Sequence, residues 1–341
     1  VSDSAPPSLD LPDDVIWPLT PSSWPGDSTV AVVGAHEALG TNISGLVYEP
    51  QEPAGTDILW AIQNKPGKVY RLLWNGTTFS QTPTDGWLTG KALRYPDGSG
   101  APDSEGLTRT DWTAQELYVV AERDNQADTV VRESILRYDL SGAKGVISAT
   151  HEWILTNDLP TTTLNHGLEG IAWIPDSYLV GRGFRDEATH AVYDPAVYPQ
   201  HGTGLFLVGV DSSGMICAYA LNHADGTFTR VASFSSGQDN SVDLTFDRDT
   251  GVLWSLCDSK CNGRMTLFQV DEEPASPTEG KFVLRAVVPS PKSIKDMKNE
   301  GFTLAPWSEC TGNRRPFFWS DDDGTKGYAI RRALIDCGPI Y

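Results

Sequence analysis

The chain has 341 residues, with 45 Asp and Glu against 26 Lys and Arg and a formal net charge of −19. That balance, with no basic run longer than two residues, excludes the clustered cations that nucleic acid or a bare anionic lipid surface requires. No apolar run approaches the roughly 18–20 residues of a membrane span, and 11 Trp with 39% hydrophobic content supply a real core.

In chain order, the opening Val1-Ser-Asp-Ser-Ala-Pro-Pro reads as a mature N-terminus whose secretion signal has been removed. Residues 1–28 are expected to be an extension, and 1–341 a single domain, because repeat architectures run this long as one unit. Thr29–Val33 follows as a short strand.

Five segments then share a small or acidic residue, a glycine, an apolar residue and a β-rich stretch. They begin at Ser44-Gly45-Leu46, Glu105-Gly106-Leu107, Glu169-Gly170-Ile171, Asp243-Leu244-Thr245 and Glu300-Gly301-Phe302, and the fourth lacks the glycine. The starts lie roughly 60–75 residues apart, a period that points to repeated four-stranded sheets. Second strands are expected at Ile58–Asn64, Leu117–Asp124, Tyr178–Arg182, Val252–Asp258 and Phe317–Asp322. Third strands are expected at Lys68–Leu72, Ser134–Tyr138, Met265–Val270 and Tyr328–Arg332; in the third repeat, Leu205–Val208 and Met215–Tyr219 both qualify.

Fourth strands are expected near Thr78–Thr82, Val146–Leu155, Thr227–Phe234 and Lys281–Val288. The last repeat lacks one, and Thr29–Val33 is available to complete it. The expected fold is therefore all-β: a five-bladed β-propeller of four-stranded blades, its ring closed by an N-terminal strand. A β-sandwich with accidental periodicity is the competing architecture. Leu88–Asp103, rich in Gly and Pro, reads as a surface loop, and residues 182–214 as an inserted loop over the channel mouth.

In such a fold the start of each first strand and the end of each second strand meet at one mouth. One expected ring is Ser44, Glu105, Glu169, Asp243 and Glu300. The other is Asn64, Asp124, Arg182 or Arg185, Asp258, and Asp321 or Asp322, with His166 beside them. Carboxylates crowded around a channel raise one another's pKa and must share protons or a cation. Hard oxygen donors favour Ca²⁺ or Mg²⁺, which makes Glu105, Glu169, Asp243, Asp258, Glu300 and Asp321 the candidate metal ligands. An acid before a glycine at a strand start also serves as a plain cap for backbone N–H groups.

Catalytic candidates are Glu169, Glu300, His166, Arg182 and Arg185, and substrate-binding candidates are Asn64, Arg123, His190 and His201. The sequence holds no Gly-x-Ser-x-Gly elbow, no phosphate-binding Walker loop and no His-Glu-x-x-His zinc motif. Cys257 with Cys261, and Cys310 with Cys337, are expected as disulfides, leaving Cys217 as a free core thiol.

The Glu105-Gly106-Leu107, Glu169-Gly170-Ile171-Ala172 and Glu300-Gly301-Phe302 motifs, each followed by a strand ending in acid or amide, resemble the esterase-like phytase group of β-propellers over residues 40–335. The resemblance implies a secreted propeller and a calcium-dependent hydrolase of phosphate esters. The chain departs from the positive mouth that phosphate usually wants, since only Arg123, Arg182 and Arg185 are placed to supply it.

The leading expectation is a secreted, monomeric, metal-dependent hydrolase of an extracellular ester, phosphate ester or glycoside, with Ca²⁺ as cofactor. Its partner would be a small molecule or polysaccharide, with no nucleic acid and no membrane. A polysaccharide lyase or glycoside hydrolase using His166 or His190 with carboxylates and no catalytic metal is the second expectation. A non-catalytic carbohydrate- or protein-binding propeller, with one similar shallow site per blade, is the third.

Overall fold

A computed structural model describes residues 22–51, 56–160, 162–294 and 297–338. Most of the expected N-terminal extension lies outside the described residues. Among the described residues the chain is all-β. It opens with β1 (Ala31–Val32), then β2 (Ile43–Glu49), β3 (Ile58–Gln63), β4 (Lys68–Trp74) and β5 (Phe79–Gln81), then β6 (Lys91–Arg94). A second unit holds β7 (Pro102–Thr108), β8 (Glu116–Asp124), β9 (Val131–Asp139) and β10 (Val146–Ile154). In the third, β11 (Leu168–Pro175) leads through helix α1 (Asp176–Gly181) and the hairpin β12 (Arg185–Asp186) and β13 (Ala191–Val192). That unit ends in β14 (Gly204–Val210), β15 (Met215–Leu221) and β16 (Phe228–Ser235). The fourth is β17 (Asp243–Asp247), β18 (Val252–Leu256), β19 (Met265–Val270) and β20 (Phe282–Val288), and the fifth is β21 (Phe302–Leu304), β22 (Arg314–Ser320) and β23 (Ile330–Asp336).

Within each unit the main strands pair antiparallel with their successors, except that β12 and β13 form a separate hairpin and β4 pairs both β5 and β6. β1 pairs with β23, Ala31 opposite Arg332 and Val32 opposite Arg331, so the N-terminal strand covers the open edge of the last unit. Trp24 anchors the same segment, its ring 5.4 Å from both Phe317 and Trp319. Both expected disulfides are present, Cys257–Cys261 and Cys310–Cys337, and Cys217 is free and buried. No helix among the described residues is long and apolar enough to cross a membrane.

The first strands β2, β7, β11, β17 and β21 stand side by side around one cavity of about 160 Å³, lined by Tyr48, Leu107, Ile171, Leu244 and Thr303 among others. Their closest approach explains the repeated glycine. A Cβ on Gly45 would come within 2.9 Å of the Gly106 Cα, and one on Gly106 within 3.1 Å of the Gly170 Cα. A Cβ on Gly170 would reach 2.6 Å from the Asp243 Cα, and one on Gly301 2.8 Å from the Gly45 Cα. These backbones touch where no side chain fits.

Two sequence expectations change. Tyr178–Arg182 is helix and helix cap rather than strand; the second strand of the third unit is β14 and the third is β15, which settles the choice between Leu205–Val208 and Met215–Tyr219. A short apolar run cannot be assigned to helix or strand by periodicity alone. Lys91–Arg94, read as loop, is a strand pairing with β4 on one side and, in parallel, with β10 on the other. It joins the first two units into one continuous sheet.

Candidate functional site: an acidic mouth

The strand register delivers the site. Leu46, Leu107, Ile171, Leu244 and Phe302, each the apolar residue of its repeat, pair with Ala61, Val119, Val208, Ser255 and Trp319. Three positions beyond each partner stand Asn64, Glu122, Asp211, Asp258 and Asp322. Opposite strand directions bring these ends to the same mouth as Ser44, Glu105, Glu169 and Glu300. Asp211 therefore fills the place expected of Arg182 or Arg185, Glu122 that of Asp124, and Asp322 rather than Asp321 belongs to the ring.

Glu105 accepts from Ser44 Oγ at 2.9 Å and from Asn64 Nδ2 at 3.2 Å. Carboxylate oxygens of Asp103, Glu105 and Glu122, all buried, lie within 4.8 Å of one another. Glu122 Oε1 accepts the Gly167 N–H at 2.9 Å, and its charge acts on Glu169. Burial pushes Glu105 and Glu169 well above the carboxylate range, reinforced in both by neighbouring carboxylates. Burial also raises Asp103, against the pull of Arg123, and lifts Glu133 to about 7 and Glu300 to about 8, the latter against the pull of Lys298.

Among the described residues, several basic groups rim this mouth. Arg123 reaches Asp103 at 2.6 Å and Glu122 at 3.6 Å, and also donates to Asn165. Lys298 lies 3.7 Å from Glu300 and pairs with Asp322, while Lys260 sits 3.3 Å from Asp211. His166 Nδ1 is 2.5 Å from Asp211 Oδ2.

Several sequence candidates are engaged with other partners, at the mouth or away from it. Asp243 holds the glycine position of its repeat, not the acid position, and both its oxygens take backbone N–H groups, from Leu244 and Phe302, at 2.8 Å. Asp321 is fully buried against Arg331 and the Thr325 N–H, both at 3.0 Å. Asp258 caps a short 3₁₀ turn through the Lys260 N–H at 2.7 Å, and its charge also acts on Glu300. Asp124 accepts from Ala101 and Gln126 N–H groups.

The segment carrying Arg182, Arg185, His190 and His201 leaves the far end of β11, away from the acidic mouth. The part of 182–214 before β14 therefore does not cover it, and only the end of β14, leading to Asp211, returns to the mouth. Arg182 pairs with Glu272, His201 packs among Asp176, Tyr193 and Tyr198, and Arg185 and His190 are exposed. Sequence reading missed Asp103, Glu122, Asp211, Lys260 and Lys298. The constant register offset that places Glu122 and Asp211 emerges only with the strand pairing.

The donor set fits a hard divalent cation. It is oxygen-only and buried, and its negative charge exceeds the one guanidinium among it. Asn64 Oδ1, on the amide that bonds Glu105, is buried without a hydrogen-bond partner, as is Asp322 Oδ1. Such atoms in a native fold call for an ion, a water or a ligand.

No known protein family and no characterised protein matches the sequence. Among solved structures, Saccharomyces cerevisiae Sqt1 is similar over 87% of this chain and 60% of its own, at 13% identity and TM-score 0.36. The chain thus spans less than two thirds of that protein. The PQQ-bound aldose sugar dehydrogenase of Streptomyces coelicolor matches over 91% of this chain and 99% of its own, at 10% identity and TM-score 0.37. A functionally unknown protein from Desulfotomaculum acetoxidans matches over 85% and 69%, at 12% identity and TM-score 0.36. Likeness at this level says nothing of activity.

Proposed function

We propose that the chain is a secreted five-bladed β-propeller whose acidic mouth binds a divalent cation, calcium by its donor chemistry, and hydrolyses an ester or phosphate ester there. The observation that carries this reading is the convergence of Asp103, Glu105 and Glu122 within 4.8 Å, with Glu169 near enough to feel the charges of Glu105 and Glu122. The five units and their ring of first strands support the blade count, and two disulfides suit an oxidising compartment.

Asp103, Glu105 and Glu122 would hold the cation, with Asn64 Oδ1 as a neutral ligand. A cation bound there supplies Lewis-acid polarisation of the substrate and a more acidic water. Glu169 would be the base in its ionised form, which the positive charge of a bound cation favours against the burial and neighbouring carboxylates that raise it. Lys298 and Arg123 neutralise an anionic substrate at the rim, where the sequence alone supplied only arginines. Calorimetric titration with Ca²⁺ and Mg²⁺ tests the cation. Hydrolysis of p-nitrophenyl phosphate, inositol hexakisphosphate and p-nitrophenyl acetate, with and without chelator, tests the reaction. Absence of any binding by the full chain refutes the reading.

The His166–Asp211 contact favours a second reading. An imidazole oriented by a buried carboxylate at the same mouth is equipped as a metal-free base for lyase or glycosidase chemistry. Turnover of a polysaccharide that chelator leaves untouched and His166→Ala removes would establish it instead.

A further inference from the structure

On the face opposite the acidic mouth, two pockets occupy successive seams between units. One, of about 390 Å³, lies between the first and second units; the other, of about 480 Å³, lies between the second and third. Their sizes fall within the range of small-ligand sites. They flank the β7–β8 loop, with Trp112 and Gln115 bordering the first and Thr110 the second.

The two pockets are built alike. A cross-strand aromatic–arginine pair lines each: Trp60 opposite Arg71 in the first, Tyr118 opposite Arg137 in the second. In each, the aromatic side chain donates to a glutamate, Trp60 Nε1 to Glu49 at 2.7 Å and Tyr118 OH to Glu116 at 3.3 Å. In each, that glutamate is also paired with an arginine, Glu49 with Arg109 and Glu116 with Arg137. The cross-strand aromatic–arginine pair recurs at equivalent places in two units of different sequence, while the glutamate comes from the first strand in one unit and from the second strand in the other.

The chemistry of the walls defines the ligand. In the first pocket Glu49 and Asp85 balance Arg71 and Arg109; in the second Glu116 balances Arg137. Burial pushes His223, at the wall of the second, down to about 4, so it stands there as a neutral imidazole with both donor and acceptor character. Gln115 and Gln200 add exposed amide donors and acceptors. Trp60 and Tyr118 are buried behind the walls and Trp112 is the half-buried aromatic of the first pocket; with balanced charge and mixed amide, imidazole and hydroxyl groups, the pockets suit a neutral polyhydroxylated ring better than an ion.

We infer that these two seam pockets are a paired binding site for neutral carbohydrate, each taking a hexose unit, independent of the acidic mouth. The inference goes beyond the hydrolytic reading and does not rest on it. An anionic sugar is disfavoured because neither pocket holds an uncompensated arginine.

Titration of the full chain with glucose, galactose, mannose and cellobiose, followed by intrinsic tryptophan fluorescence, tests this. Saturable binding in the millimolar range is expected for at least one of the four. Gln200→Ala and Gln115→Ala, at exposed positions that leave the fold intact, should each weaken it by about tenfold or less, and Arg137→Met by about tenfold or more. Glu169→Gln should leave sugar binding unchanged, which separates this site from the acidic mouth. No fluorescence change with any of the four sugars at tens of millimolar overturns the inference. So does glucuronate binding more tightly than glucose, or binding that all three pocket substitutions leave intact.

Discussion

Asp243 Oδ2 accepts the Phe302 N–H at 2.8 Å, so a carboxylate bridges the two first strands at the one repeat position where glycine is missing. Burial pushes this carboxyl well above its usual range, against the pull of the two amides. The contact is a strand-to-strand clip, and the acidity of the position is incidental to the mouth. Asp243→Ala should leave two buried N–H groups unpaired and cost about 1–3 kcal/mol for each. Cation affinity should stay unchanged. A calorimetric titration in which Asp243→Ala abolishes cation binding while its melting temperature holds would place Asp243 among the ligands after all.

Gly106 answers the complementary question. A Cβ there would lie 2.5 Å from the Glu169 carbonyl oxygen. Gly106→Ala should therefore cost about 1–3 kcal/mol by overpacking and disturb Glu169 at the same time. Denaturant melts compare it with Gly142→Ala, where a Cβ meets nothing within 4 Å. Equal stability of the two variants contradicts the close approach of the first strands.

The N-terminal segment makes a third case. Beyond the β1–β23 pairing, Asp27 N–H donates to the Leu334 carbonyl and Asp336 N–H to the Pro25 carbonyl, both at 2.9 Å. Removing residues 1–33 should expose the β23 edge, lower the melting temperature and bring on aggregation. Light scattering and thermal melts read both, and a truncated chain that stays monodisperse and melts like the full one rules out this closure.

These cases show which parts of the molecule were legible in its sequence. Strand periods and the orphan strand at the N-terminus were, because alternation and edge closure leave local signals. The Glu-Gly-apolar motif marked the mouth correctly at Glu105, Glu169 and Glu300. It misplaced Asp243 by one position, because without a glycine nothing in the local sequence distinguishes the acid place from the contact place. Asp211 was hidden for another reason: a helix and hairpin intervene between β11 and β14, so the strand that ends at Asp211 lay beyond the apparent repeat. Asp103 and Lys298 each precede an acid of the ring by two residues, and only the twist of the strand entry brings them to the site.

Stability should fall with pH in the absence of a cation. The Glu300 carboxyl titrates near 8 and Glu133 near 7 when folded, against about 4.5 for an ordinary glutamate, and Glu105 and Glu169 shift the same way. Folding thus takes up protons. The stability these groups contribute is fully present below about pH 4.5 and is lost as pH rises through about 7 to 8. Melting temperatures in chelator should drop between about pH 5 and about pH 8.5, and calcium should restore them at the upper end while doing little at the lower. A melting temperature that climbs steadily over that interval without metal contradicts the buried-acid account.

Glu169→Gln separates function from architecture most directly. The Glu169 carboxyl is raised by burial first, then by the charges of Glu105, Glu122, Glu300 and Asp211. An amide of the same shape cannot ionise and so takes no part in the like-charge crowding. The fold should be unharmed, with a melting temperature unchanged or higher at about pH 8, where like-charge repulsion is greatest. Hydrolysis should be lost, because an amide cannot take a proton from water. Cation affinity should fall by about tenfold or less, equivalent to about 1.4 kcal/mol, since Asp103, Glu105 and Glu122 remain. Glu122→Gln should reverse the pattern, weakening the cation first. If Glu169→Gln instead destabilises the chain by about 0.5–2 kcal/mol, as loss of a cap does, and leaves turnover intact, the carboxylate belongs to the architecture and the base must be sought at His166.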